Sequence, residues 1–231
     1  MTNIQNLLER QPFVKSLMVQ IGEIASKQKK KAYAVGGVVR DVFIGKELKE
    51  IDIMVIGDGI EFAKVVAKQM GVPKIVPFHR FSTAHIPSRP IPIEIAAARK
   101  ETYSKDSRKP NKVTYTNLEG DLLRRDFTVN AMAVDLLPDN FGNLYDPYNG
   151  LKDLLSKQLI TPMDPDETFS DDPVRMMRAA YFSSKLKFKL SQPLINSMKK
   201  TSPRIEIVSA ERIRDEFIKI LKTEKPSIGI I

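Results

Sequence analysis

The stretch AVGGVVRDVFIGKELKEIDIMVIG, Ala34 to Gly57, constrains this chain more than any other. It reads as a strand, a glycine turn, a short helix and a second strand. Ile51 to Ile56 is almost wholly apolar, the pattern of a strand buried on both faces. Two acids, Glu50 and Asp52, stand at its entry. Side chains alternate along a strand, so the two carboxylates share a face. Like charges that close repel each other unless a cation lies between them. Either the strand begins at the surface and both acids are solvated, or they cradle a divalent metal. Mg²⁺ takes hard oxygen ligands and is often held by one or two carboxylates plus substrate phosphates. Upstream, Gly36-Gly37 follows the β-rich run from Ala32 to Val35 and opens a helix near Val38. Glycine lets the backbone approach a phosphate, and N–H groups at a helix start attract anions. Arg40, in the first helical turn, can reach the same anion. Together these spacings describe a phosphate clamp beside a metal cradle.

Composition narrows the metal and the partner. The chain has no cysteine, and only His79 and His85 offer imidazole. A metal here is therefore carboxylate-bound, which favours Mg²⁺, with Mn²⁺ as its substitute. No run of about 18 apolar residues predicts a membrane span. The start MTNIQNLLERQPF lacks a basic-then-apolar signal, so a cytoplasmic protein is expected. A net charge of +9 suits a nucleic acid or another polyanion, although many basic proteins bind neither. Trp is absent and no aromatic-rich platform is evident, so any RNA is expected to be held by phosphate and shape contacts. At 231 residues the chain has room for one large or two modest domains.

Residues 4 to 28 read as one amphipathic helix, ended by the solvated run Lys29-Lys30-Lys31. Ile60 to Met70 reads as a helix closed by Gly71. Short strands follow over 74–78, 82–86 and 91–97, which predicts a twisted mixed sheet with helices packed on one side. Glu94 interrupts the last of them, either at an exposed edge or leaning toward the acidic pair. Lys100 to Lys112 reads as a mobile loop. Its cations Lys100, Lys105, Arg108, Lys109 and Lys112 are either solvated or meet phosphates. Residues 118–127 read as a helix and 132–137 as a strand. Arg124-Arg125-Asp126, taken alone, is surface charge. Tyr145 to Leu154 reads as a turn entering a helix, and residues 158–161 as a last short strand. Beyond Pro165 the pattern turns helical. Ser170 is the expected N-cap, Pro173 lies in the first turn, and Asp172 and Arg175 share a face. Arg178 lies one turn further on the same side. Ser209 to Leu221 reads as a capped helix with Ile213, Phe217, Ile220 and Leu221 as its buried stripe. The ending PSIGII is apolar and uncapped, as if cut from something longer.

Taken in order, GGVVRD followed by EID, RRDFTVNA, YDPYNGLKDL, DDPVRMMRA and the helix with Glu211, Arg212 and Glu216 resemble one family. It is that of class II tRNA nucleotidyltransferases and bacterial poly(A) polymerases, within the polymerase-beta-like superfamily. Two departures stand out. Glu50 replaces the first acid of the family's Asp-x-Asp pattern, and Asp171 replaces the Glu of its E-D-x-x-R segment. The resemblance implies an α+β fold. Residues 1–160 would form a mixed-sheet nucleotidyltransferase head, and residues 161–231 an all-helical nucleotide-recognition neck that continues in relatives. It implies that Glu50 and Asp52 bind the metal and that the Gly36-Gly37 backbone and Arg40 steady the triphosphate. Asp126 would lie near the incoming nucleotide's sugar or the metal, with Arg124 and Arg125 on its phosphates. Asn130 either helps to hold that turn or is structural. Asp172, Arg175 and Arg178 would face the base, presenting acceptors and donors as a base edge does. Glu211, Arg212 and Glu216 would brace that helix. The implied reaction is Mg²⁺-dependent addition of CMP and AMP, from CTP and ATP, to the 3′ end of tRNA. Addition of poly(A) to RNA 3′ ends is the neighbouring alternative. A catalytically silent RNA-binding protein, with Glu50 marking the loss, is the alternative of another class.

Overall fold

The computed structural model describes residues 2–104 and 107–230, with side chains outside 103–111. Its backbone falls into two compact units. The first comprises Met1–Lys100, Val113–Leu122 and Asn130–Pro147. The second comprises Glu101–Lys112, Leu123–Val129 and Tyr148–Ile231. The fold is α+β, a mixed sheet with helices followed by a mainly helical segment.

The chain begins with helices α1 (Gln5–Leu8) and α2 (Pro12–Lys27). The single helix expected over residues 4–28 is therefore broken. Pro12 has no N–H with which to continue a turn, and it sits instead in the first turn of α2, where none is needed. Then follow β1 (Ala32–Val35), α3 (Gly37–Phe43), β2 (Ile51–Val55), α4 (Gly59–Gln69) and β3 (Val76–Phe78). After them come β4 (Thr83–Ile86), β5 (Ile93–Ala97), β6 (Arg99–Ser104), β7 (Ser107–Tyr115), α5 (Leu118–Leu123), β8 (Ala133–Asp135) and β9 (Leu144–Tyr145).

Seven of these strands form one sheet in the order β3-β4-β5-β2-β1-β8-β9. The central pair β2–β5 is parallel and every other pair is antiparallel. Helix α4 packs on β2, β4 and β5, and α2 packs on β1 and α4. Phe62 and Val66 of α4 and Ile21 and Ile24 of α2 are buried, as are Ile51, Ile53 and Val55 of β2 and Ile93 and Ile95 of β5. Asp58 caps α4, its Oδ1 accepting from the N–H groups of Ile60 (2.9 Å) and Glu61 (3.2 Å).

The loop expected over Lys100 to Lys112 is instead a separate two-stranded ladder of β6 with β7. Lys-Glu-Thr-Tyr and Lys-Val-Thr-Tyr set β-forming residues beside charged ones, a composition that a solvent-facing strand accepts. Lys105 lies outside the described residues. The helix expected over residues 118–127 stops at Leu123, so Arg124, Arg125 and Asp126 are not helical.

The remaining elements are α6 (Gly150–Ser156), β10 (Gln158–Leu159), α7 (Pro165–Asp171), α8 (Val174–Leu186), β11 (Lys189–Leu190), α9 (Gln192–Thr201) and α10 (Ala210–Leu221). This part is helical apart from the short parallel pair β10–β11. Ser170 does not cap a helix; it lies inside α7, which Asp164 caps by accepting from the Asp166 and Glu167 N–H groups. Pro173 causes the break that follows. A residue before proline is pushed out of helical conformation, and Asp172 is extended at φ −138°, ψ 99°. The stripe expected on α10 is also corrected. Ile220 is buried, but Phe217 and Leu221 are exposed, and Glu216 takes the inward position where α10 packs on α8. Among the described residues no helix is long and apolar enough to cross a membrane.

Ile53→Ala is expected to lower unfolding stability by about 2–5 kcal/mol, because the sheet–helix core cannot collapse around the lost volume. The exposed Leu155→Ala should change it by about 0.5 kcal/mol or less. Urea unfolding of the two variants checks both values.

Candidate active site

The first unit holds the glycine turn and the acids. Gly36 has φ 66° and ψ −127°, a conformation costly for any residue with a Cβ. Its N–H donates to the Met132 carbonyl at 3.2 Å, which ties the turn to the sheet beside β8. A Cβ on Gly37 would stand 3.3 Å from a terminal guanidinium nitrogen of Arg40, so the bare backbone makes room for that side chain. Arg40 is buried. Its Nε and Nη2 donate to the two carboxylate oxygens of Asp41 at 2.8 and 3.0 Å, and Nη1 donates to the Asn130 side-chain oxygen. Three of its roughly five N–H donors thus serve neighbouring side chains. Arg40 is gripped against the turn rather than extended into solvent. Asn130 is part of that grip. Asp41, which the sequence reading passed over, is its other half; its place directly after Arg40 was the available signal.

The acids gather on one face of the sheet. Ile51 and Ile53 are buried on the helix side, so alternation turns Glu50 and Asp52 to the other. Asp52 is half-buried and Glu50 is exposed. Asp52 is in register with Glu94 of the parallel neighbour β5, and Glu94 is in register with His85 of β4. Directly opposed residues project to the same face, so Glu94 joins the acidic pair. On the other side of β2, Ala34 is opposite Ile53. Continuing that register one residue sets Asp52 across from Val35, immediately before Gly36. The carboxylate and the glycine turn are therefore neighbours within one unit.

No three His, Asp or Glu side chains among the described residues converge as a ready-made metal site. Among those residues neither Glu50 nor Glu94 has an ion-pair partner. Carboxylate oxygens are the donors that a hard divalent ion takes, and such an ion keeps part of its shell for water and phosphate.

The second unit holds Arg124, Arg125 and Asp126 and the segment that carries Asp172, Arg175 and Arg178. Asp126 is buried. Its Oδ1 accepts from the Phe127 N–H at 2.8 Å, and its Oδ2 accepts from Nε and Nη2 of Arg178 at 2.7 and 2.6 Å. Both oxygens of Asp126 thus accept from protein donors. Arg178 is held in its charged form, its pKa raised first by Asp126 and further by Glu216 and Asp172. Arg175, also buried, donates to the carbonyls of Arg124 (2.6 Å) and Thr168 (3.3 Å). It makes no ion pair with Asp172, which precedes α8 rather than sharing a helix face with it. Asp172 instead accepts from the Val174 N–H (3.3 Å) and pairs with Arg212 of α10 at 3.8 Å. Glu216 accepts from Lys219 at 2.7 Å through one oxygen, while its other oxygen is buried without a hydrogen bond. Glu211 is exposed; Arg124 pairs with Glu101 at 3.5 Å, and Arg125 is half-buried.

Residues 32–160 match the family described as the poly A polymerase head domain. Residues 187–231 match one described as a probable RNA and SrmB-binding site of polymerase A. The two matches follow one another along the chain, a polymerase head and then a segment described as RNA-binding. The chain belongs to the family of class II tRNA nucleotidyltransferases and bacterial poly(A) polymerases. It is 40% identical over 203 residues to an A-adding tRNA nucleotidyltransferase of Aquifex aeolicus, a match covering 83% of this chain and 24% of that protein. It is 36% identical over 190 residues to a CCA-adding enzyme of Lactobacillus helveticus, covering 82% of this chain and 45% of that one. A solved structure of the Thermotoga maritima CCA-adding enzyme complexed with tRNA superposes with a TM-score of 0.84 at 30% identity, over 99% of this chain and 52% of that one. The chain thus spans about a quarter to a half of the length of these proteins.

Burial pushes the Asp171 carboxyl above its ordinary value, against the pull of Arg175. The native state then binds this proton more tightly than the unfolded state. Stability should fall as pH rises from the ordinary carboxyl range through the native pKa. Asp171→Asn is expected to raise the unfolding temperature at pH 7 and to lose that advantage near pH 3, which thermal melts across pH will show.

Proposed function

We propose that the chain carries out template-independent nucleotidyl transfer to an RNA 3′ end, with tRNA as the acceptor and CTP and ATP as donors. The RNA 3′-hydroxyl oxygen attacks the α-phosphorus in line and loses its proton. A new O–P bond forms as the bond to the β-phosphate's bridging oxygen breaks, and pyrophosphate leaves. The observation that carries this reading is the shared face of Glu50, Asp52 and Glu94 next to the Gly36-Gly37 turn.

Glu50 and Asp52 are the proposed holders of Mg²⁺ or Mn²⁺, with Glu94 adding charge beside them. The ion, when bound, lowers the pKa of the attacking hydroxyl and offsets phosphate charge. The turn backbone lies against the triphosphate, and Arg40, locked by Asp41 and Asn130, keeps the turn in shape. Arg124 and Arg125 are assigned to phosphates. Asp172 and Arg175 are assigned to the base edge, a carboxylate offering acceptors and a guanidinium donors. Arg212 and Glu216 brace these residues from α10. Residues 1–160 are taken as the catalytic head and 161–231 as the recognition neck, acting in the cytoplasm.

The relatives' names divide between A-adding and CCA-adding enzymes, and the head family's description refers to poly(A). The decisive assay offers tRNA lacking CCA, tRNA ending in CC, and oligo(A), each with one labelled nucleotide at a time. Incorporation into either tRNA is expected; extension of oligo(A) alone would favour poly(A) synthesis, and no incorporation a silent binder. Asp52→Ala should lower the rate by about a thousandfold or more, roughly 4 kcal/mol of barrier. A variant that keeps its rate would remove the metal cradle.

A further inference from the structure

We propose that Arg178 is a positioning residue: it holds Asp126, and through Asp126 the arginines Arg124 and Arg125, in place for the nucleotide. This rests on nucleotidyl transfer as the chain's activity and assigns Arg178 a different part from reading the base. Two arginines one turn apart on α8 grip one non-helical segment. Arg175 takes it at the Arg124 carbonyl, 51 residues away in sequence, and Arg178 takes it at the Asp126 carboxylate, 52 residues away. The side chains of Arg124 and Arg125 project from the length between those two grips.

The Arg178 side chain is 35% exposed, but its partner is not. The Asp126 side chain is only 7% exposed, and two donors of one guanidinium converge on a single oxygen. The guanidinium plane is fixed as well, lying 5.2 Å over the Phe182 ring, which meets Phe127 edge-on at 5.8 Å. Phe127 is the residue whose N–H holds the other Asp126 oxygen. Carboxylate, guanidinium and both rings therefore form one connected unit. The side chain geometry sets Arg178 along this segment, where its loss displaces groups serving the phosphates common to every nucleotide.

The test is a four-protein cycle in the full chain: parent, Asp126→Asn, Arg178→Met and the double variant. The double removes both charges of this pair, so neither remains opposite a missing partner, and it reports even where a single variant folds poorly. Each single variant should lower kcat/KM by about tenfold or more, and the double should be no worse than the weaker single, as expected of residues acting as a unit. The KM for CTP and for ATP should rise together, with the ratio of their kcat/KM values within about twofold of the parent's. Multiplying losses in the double, or a changed CTP-to-ATP preference in Arg178→Met, would overturn the proposal. If the parent incorporates no nucleotide, that failure falls on the proposed activity. The clamp is then read from the four unfolding midpoints, where non-additive losses support it and additive losses overturn it.

Discussion

Repulsion among acids on one sheet face is the constraint on which the rest depends. Burial of Ile51, Ile53 and Val55 leaves Glu50 and Asp52 no choice of side. The parallel register then adds Glu94 at the next strand. Carboxylates on adjacent strands, about 5 Å apart, repel by roughly 1–3 kcal/mol at the effective dielectric of a protein surface. Retaining them beside a glycine turn makes sense if a divalent ion and a triphosphate complete the charge balance.

The second unit answers a different problem, the burial of arginine. Arg175 of α8 is buried, and Arg178, one turn on, is partly so, its side chain 35% exposed. Such groups are tolerated inside a fold when their donors meet acceptors. Here those acceptors belong to Arg124, Thr168 and Asp126, so the solution also ties separate segments into one frame. The frame sets the shape of the segment that carries the remaining arginines. Glu216, with one oxygen buried and unmatched, adds negative charge near Arg178.

What could be read from the residues was local. The apolar run of β2, the helix read over Ile60 to Met70 and the glycine turn each announce themselves within a dozen residues. So does the shared face of Glu50 and Asp52, which follows from alternation alone. Partnerships across the chain could not be read that way. Arg40 with Asn130 spans 90 residues, and nothing in GGVVRD distinguishes a guanidinium that meets a phosphate from one that braces a turn. The inward side of α10 was misjudged because Phe217 and Leu221 are more apolar than Glu216, while packing on α8 follows the acid. The β6–β7 ladder was missed because its charge outweighed its alternating Thr, Tyr and Val. Proline effects were legible at Pro173 as a helix start but not at Pro12 as a break.

The cation seat can be tested most directly without any chemistry. Thermal unfolding of the parent and of Asp52→Asn is followed as MgCl₂ is raised at constant ionic strength. A ligand that binds only the native state raises its unfolding temperature. The parent should gain stability with Mg²⁺ and the variant should gain little or none. Equal gains in both proteins, or none in either, would mean that the acids at the entry to β2 do not hold a divalent ion.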